Sequence, residues 1–156
     1  MNKIELIKAE RDGLEIKSEL QRFAEEGWES ISDDDIQRLK WYGLFLRNPT
    51  PGFFMLRVRI PNGFSYSHQV RVLACIAEIY GNGVIDITTR QQVQLRHLKI
   101  ENIPKIFNLL DEVGMTTSQT GMDNVRNIMG CPVSGLNPKE KVDAYSLVKK
   151  LNEHIV

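Results

Sequence analysis

Phe53-Phe-Met-Leu-Arg-Val-Arg-Ile60 decides the fold. Its residues alternate with period two, so Phe54, Leu56, Val58 and Ile60 fall on one face of a strand and Phe53, Met55, Arg57 and Arg59 on the other. Downstream, Pro61-Asn-Gly63 marks a turn, and Ser67 opens a helix to Tyr80 whose inward residues are Val70, Leu73, Ala77 and Tyr80. Gly81-Asn-Gly83 closes that helix. Val84 to Arg90 resumes a strand, with Ile85, Ile87 and Thr89 opposite Asp86, Thr88 and Arg90. Val93 to Leu98 alternates again, placing Gln94 and Arg96 opposite Val93 and Leu95. Glu101 to Val113 has the helical spacing, apolar at Ile103, Ile106, Phe107, Leu110 and Val113. With Met115 to Gln119 as a last strand, the order is β-α-β-β-α-β, an α+β chain with the pattern of a ferredoxin-like α/β sandwich.

Upstream, Lys3 to about Glu26 is rich in helix formers, interrupted at Gly13. Ser32 followed by three aspartates caps a short helix, and Asn48-Pro-Thr-Pro-Gly52 stops what precedes the first strand. Trp28, Trp41 and Tyr42 are expected to seal this segment onto the sandwich. Downstream, a helix with Val142, Tyr145, Val148, Leu151 and Ile155 on one stripe is expected from Asn137 to the end. The expected division is 1–48 helical, 49–119 sandwich and 120–156 the start of a further domain.

Two helices cover one face of such a sheet, so the other displays Arg57, Arg59, Asp86, Thr88, Arg90, Gln94 and Arg96. Guanidiniums gathered on a small surface repel each other, and a lone aspartate neutralises some of its neighbours without balancing all of them. An anion with several acceptors would complete the surface, because charge-assisted hydrogen bonds contribute about 1.5–3 kcal/mol each. The run from Gly114 to Gly135 is a long loop with one cation, Arg126, and one anion, Asp123. Its mixture of Met, Ile and Val is unlike a solvated linker, and it is expected to be ordered.

Lys+Arg and Asp+Glu balance at 20 each, so any positive field is local. No apolar run reaches the roughly 20 residues that span a bilayer, and no signal peptide opens the chain, so a cytoplasmic location without membrane attachment is expected. Cys75 and Cys131 make no metal-ligand spacing with each other or with His68, His97 or His154, and are expected to be packing residues.

Thr50-Pro-Gly-Phe-Phe-Met-Leu-Arg-Val-Arg-Ile-Pro-Asn-Gly63, Asp86-Ile-Thr-Thr-Arg-Gln91, and Gly121-Met-Asp-Asn-Val-Arg-Asn127 with Pro132-Val-Ser-Gly135 resemble, in order, the N-terminal half-repeat of the sirohaem-dependent nitrite and sulfite reductases. Asp12-Gly-Leu14, Gly27-Trp-Glu29 and Arg38-Leu-Lys-Trp41 resemble the ferredoxin-dependent nitrite reductase branch. The resemblance implies reduction of nitrite to ammonia by six electrons drawn from ferredoxin, on a sirohaem whose iron shares a cysteine with a [4Fe-4S] cluster. It also implies that Arg57 and Arg126 face the substrate oxyanion. Arg59 and Arg90 would bind sirohaem carboxylates, with Gln94, Arg96 and Asn127 as further cofactor contacts. The family's cluster cysteines and active-site lysines lie downstream of anything in this sequence. The chain is therefore expected to be a piece that is inactive alone and needs the missing C-terminal half. Sulfite is the alternative substrate within the family.

Two readings of another class stand beside this one. Ferredoxin-like sheets also bind single-stranded RNA, but they use exposed aromatics on the middle strands, where this chain offers only Phe53. The other is a non-catalytic domain that docks through its last helix.

Overall fold

The computed structural model describes residues 2–156. The N-terminal helical run is broken into α1 (Lys3–Glu10), a 3-10 segment (Gly13–Glu19) and α2 (Leu20–Glu26). The break has a local cause: the Asp12 carboxylate accepts the Leu14 N–H at 2.9 Å, and Gly13 lies so close to the Trp41 indole that a Cβ would overlap it. Helix α3 (Asp33–Leu39) starts as expected, with the Asp35 N–H donating to Ser32 Oγ at 3.1 Å. Trp41 is buried, and Trp28 and Tyr42 pack against the main core, as the sequence led us to expect.

Strands β1 (Leu44–Leu46), β2 (Phe54–Val58), β3 (Ile85–Ile87) and β4 (Val93–Leu98) form one antiparallel sheet in the order β1-β2-β4-β3. Helices α4 (Ser67–Tyr80) and α5 (Ile103–Asp111) follow β2 and β4. Phe54, Leu56, Val58, Leu95 and Leu98 are fully buried in one core with Leu73, Ile76, Ile103, Ile106 and Leu110. Burial of each such side chain contributes about 1.5–3 kcal/mol. The mixed architecture is thus the one the strand and helix periods predict.

Five local expectations are corrected. The edge beside β2 is taken by β1, which precedes the stop at Asn48, and not by Met115–Gln119. The latter meets the chain just past β2 through one backbone bond, from the Arg59 N–H to the Thr116 carbonyl at 2.9 Å, and then turns at Gln119, where φ is 54°. Strand β4 does not alternate throughout: pairing moves from Leu56↔Leu95 to Phe54↔Leu98, so Arg96 and His97 together oppose Met55. This bulge, with His97 at φ 60°, lets Leu95 and Leu98 both face the core.

In α4 the buried residues are Leu73, Ile76 and Ala77, while Val70 is 49% exposed. The last helix, α6 (Tyr145–Ile155), starts late because Glu140 is drawn back to Ser134 Oγ at 2.6 Å and Asp143 caps the Tyr145 N–H at 2.9 Å. Cys75 and Cys131 are exposed, one on the outer side of α4 and one in the loop, so neither is a packing residue. Among the described residues no helix is long and apolar enough to cross a membrane.

Candidate functional site

Arg57 stands on the polar face of β2, register partner of Gln94, which is in turn the partner of Asp86 on β3. Its Nη1 donates to the Thr120 carbonyl at 2.9 Å, and the guanidinium lies over the Phe45 ring at 4.8 Å from the centroid. Its Nε is buried without a partner. Burial, then the charges of Arg126 and Arg90, pull the Arg57 guanidinium below its ordinary proton affinity. Arg57 therefore lies within the field of both other cations.

Arg126 and Arg90 reach this position through their backbones. The Arg126 carbonyl accepts from Gln92 Nε2 at 2.7 Å and from Arg59 Nη1 at 3.1 Å. Asn127 Nδ2 donates to the carbonyls of Ile60 and Arg90, both at 2.9 Å. Arg90 does not extend β3: it is exposed in the β3–β4 turn, which closes when the Gln92 N–H bonds Thr88 Oγ1 at 3.1 Å. Gln91 binds the loop at Gly130 through both amide atoms, donating at 3.0 Å and accepting at 3.2 Å. The long loop is ordered by these contacts with the end of the sheet.

Among the described residues, Arg57, Arg90 and Arg126 form no ion pair. Asp86, the acid of this face, is engaged by Arg96 Nε, and Arg96 Nη2 donates to Gln94 Oε1 at 3.2 Å. Gln94 and Arg96 therefore form a neutralised group with Asp86. Arg59 is not on the open face at all. It is 2% exposed, with Nε on Asn152 Oδ1 at 2.6 Å and Nη1 on the Gln119 and Arg126 carbonyls, and only Nη2 unpaired. The loop and α6 cover it. Asn127 is likewise buried, its amide N–H groups spent on backbone and its Oδ1 unpaired.

The donor set is guanidinium without carboxylate, which fits an anion bearing several carboxylates. It does not fit a metal: among the described residues no three His, Cys, Asp or Glu side chains gather into a cation site, and both cysteines stand free. Gln91, Gln92, Thr120 and Phe45 were not singled out from the sequence as site-building residues. The signal available was the Gln91-Gln92 pair at the turn between two strand-like runs, since buried amides in a turn hold neighbouring backbone.

Residues 47–113 match the family described as the nitrite/sulfite reductase ferredoxin-like half domain. The chain is 50% identical over 157 aligned residues to the ferredoxin–nitrite reductase of Leptolyngbya laminosa, covering 99% of this chain and 31% of that protein. It is 39% identical to the chloroplastic ferredoxin–nitrite reductase of Arabidopsis thaliana, covering 99% of this chain and 28% of that one. The solved structure of the Mycobacterium tuberculosis NirA protein superposes with a TM-score of 0.93 at 26% identity, over 99% of this chain and 32% of that chain. The chain thus spans about a third of the length of the proteins it resembles.

Proposed function

We propose that this chain, a member of the nitrite/sulfite reductase family through its ferredoxin-like half domain, supplies the cationic wall of a sirohaem site in a ferredoxin-dependent nitrite reductase. The observation that carries the reading is Arg57 lying in the field of both Arg90 and Arg126, while none of the three forms an ion pair among the described residues.

Arg57 and Arg126 face the small oxyanion, and Arg90, exposed in its turn, takes a cofactor carboxylate, with Gln94 and Arg96 at the flank. Arg59 and Asn127 hold the wall from behind. Sirohaem and the [4Fe-4S] cluster, bound with the rest of the reductase, would pass to nitrite the electrons drawn from ferredoxin. The part of this chain is placement and electrostatics. A guanidinium keeps its charge, so Arg57 and Arg126 are hydrogen-bond donors and not proton donors. They stabilise negative charge that builds on the anion's oxygens and orient the water that brings protons. Thr120 and Phe45 fix the Arg57 guanidinium before the anion arrives, and the clamp on its carbonyl fixes the Arg126 backbone.

The same wall would accept sulfite. The names of the relatives favour nitrite. Purified full-length protein should show a haem-type absorption spectrum, contain iron, and turn over nitrite faster than sulfite with reduced ferredoxin. A colourless, iron-free product would refute the reading.

A further inference from the structure

Nothing in the Arg126 side chain explains why it stays in place. Among the described residues its guanidinium makes no hydrogen bond or ion pair, and its backbone lies in the stretch between α5 and α6 that has no regular structure. What is fixed is its carbonyl, and the shorter of the two bonds there comes from Gln92 Nε2, at 2.7 Å.

Gln92 is suited to hold another residue. It is 1% exposed, and its own backbone is closed into the β3–β4 turn, its carbonyl accepting from the Thr88 N–H at 2.9 Å and its N–H donating to Thr88 Oγ1. Its side chain is rooted on the hairpin that also carries Arg90. The second donor to the same carbonyl, Arg59, directly follows β2, the strand that carries Arg57. One backbone oxygen thus ties the loop cation to both elements that present the other two.

We infer that Gln92 is a positioning residue for the anion site, setting Arg126 relative to Arg57 and Arg90 through the Arg126 carbonyl. The inference rests on the reading that Arg126 meets the substrate anion. Without the Gln92 amide the carbonyl keeps one donor, Arg59 Nη1 at 3.1 Å, and the loop is free to shift by a fraction of an ångström. The charge of the wall is unchanged, so the cofactor carboxylate held by Arg90 is still held. The loss falls on the small anion, whose contacts depend on where Arg126 sits.

The test uses the full-length holoenzyme with Gln92→Met, which keeps the volume and removes the donor, alone and combined with Arg126→Ala. Nitrite KM should rise about tenfold in Gln92→Met while sirohaem content stays at the wild-type level, and in the Arg126→Ala background the same change should add nothing. If Gln92→Met fails to fold, Gln92→Leu, which also removes the donor without adding charge, should raise KM at least as much. An unchanged KM, or an increase of equal size with and without Arg126, overturns the role of Gln92 while the anion site stands. Unchanged nitrite kinetics in Arg126→Ala overturns both.

Discussion

Arg57 and Thr120 hold each other at both ends: Arg57 Nη1 donates to the Thr120 carbonyl at 2.9 Å, and Thr120 Oγ1 donates back toward the Arg57 carbonyl at 3.2 Å. The same hydroxyl lies 2.7 Å from the Thr117 carbonyl. Strand and loop are joined where the first site arginine emerges, by a residue that is fully buried.

Thr120→Val keeps the shape and removes the hydroxyl, whose single proton is shared between the Arg57 and Thr117 carbonyls. The expected cost is about 1–3 kcal/mol, read as a lower denaturant midpoint with unchanged slope. A midpoint equal to wild type would show that the hydroxyl is dispensable.

Gly121 follows, its α-carbon packed against the Lys40 carbonyl and the edge of the Phe45 ring. A methyl there would overlap the Lys40 backbone, which cannot rotate aside, so Gly121→Ala should cost about 1–3 kcal/mol. It should also displace Phe45 from under Arg57. Gly114→Ala is the control, since nothing lies within 4 Å there and only its positive φ, 67°, opposes substitution. Its smaller loss, about 1 kcal/mol, would separate steric from backbone cost.

In the full-length protein, Arg126→Ala should lower nitrite turnover more than sirohaem content, and Arg90→Ala should lose sirohaem first. Both follow from position: Arg126 is half-buried beside Arg57, while Arg90 is exposed on its turn. Full sirohaem occupancy in Arg90→Ala would contradict its assignment.

Acid should loosen the loop from α1. Lys8 Nζ lies 2.6 Å from Asp123 Oδ2, and this hydrogen bond holds the Asp123 carboxyl below its ordinary range. A depressed acid stabilises the folded state fully above about pH 4 and loses that contribution as pH falls through its lowered value. The pair is exposed, so the effect is small and screened by salt. Amide exchange around residues 121–125 should quicken on acidification in wild type, beyond its intrinsic pH dependence, and show no such excess in Asp123→Asn. Identical profiles would dismiss the pair.

The core of this fold was legible because period two at Phe54, Leu56 and Val58 leaves one burial solution. Alternation also pointed Arg57 and Arg59 the same way, but it cannot report what covers a face, and Arg59 proved to be the buried bond to α6 and the loop. Arg90 looked like strand because Thr88-Thr89 favours strands. Thr88 instead uses its hydroxyl to close the turn. Leu44–Leu46 is too short to show a period, and the bulge at Arg96 and His97 adds a residue no pattern announces. The clamp from Gln92 to Arg126 joins positions 34 residues apart through a backbone oxygen, which leaves no mark on side-chain patterning.

The central claim is that Arg57 and Arg126 converge on one small anion beside the cofactor. Crystals of the full-length protein grown with nitrite test it most directly. The account predicts guanidinium nitrogens of both residues within hydrogen-bonding distance, about 3 Å, of the bound anion. An anion bound with either arginine turned away from it would contradict the account.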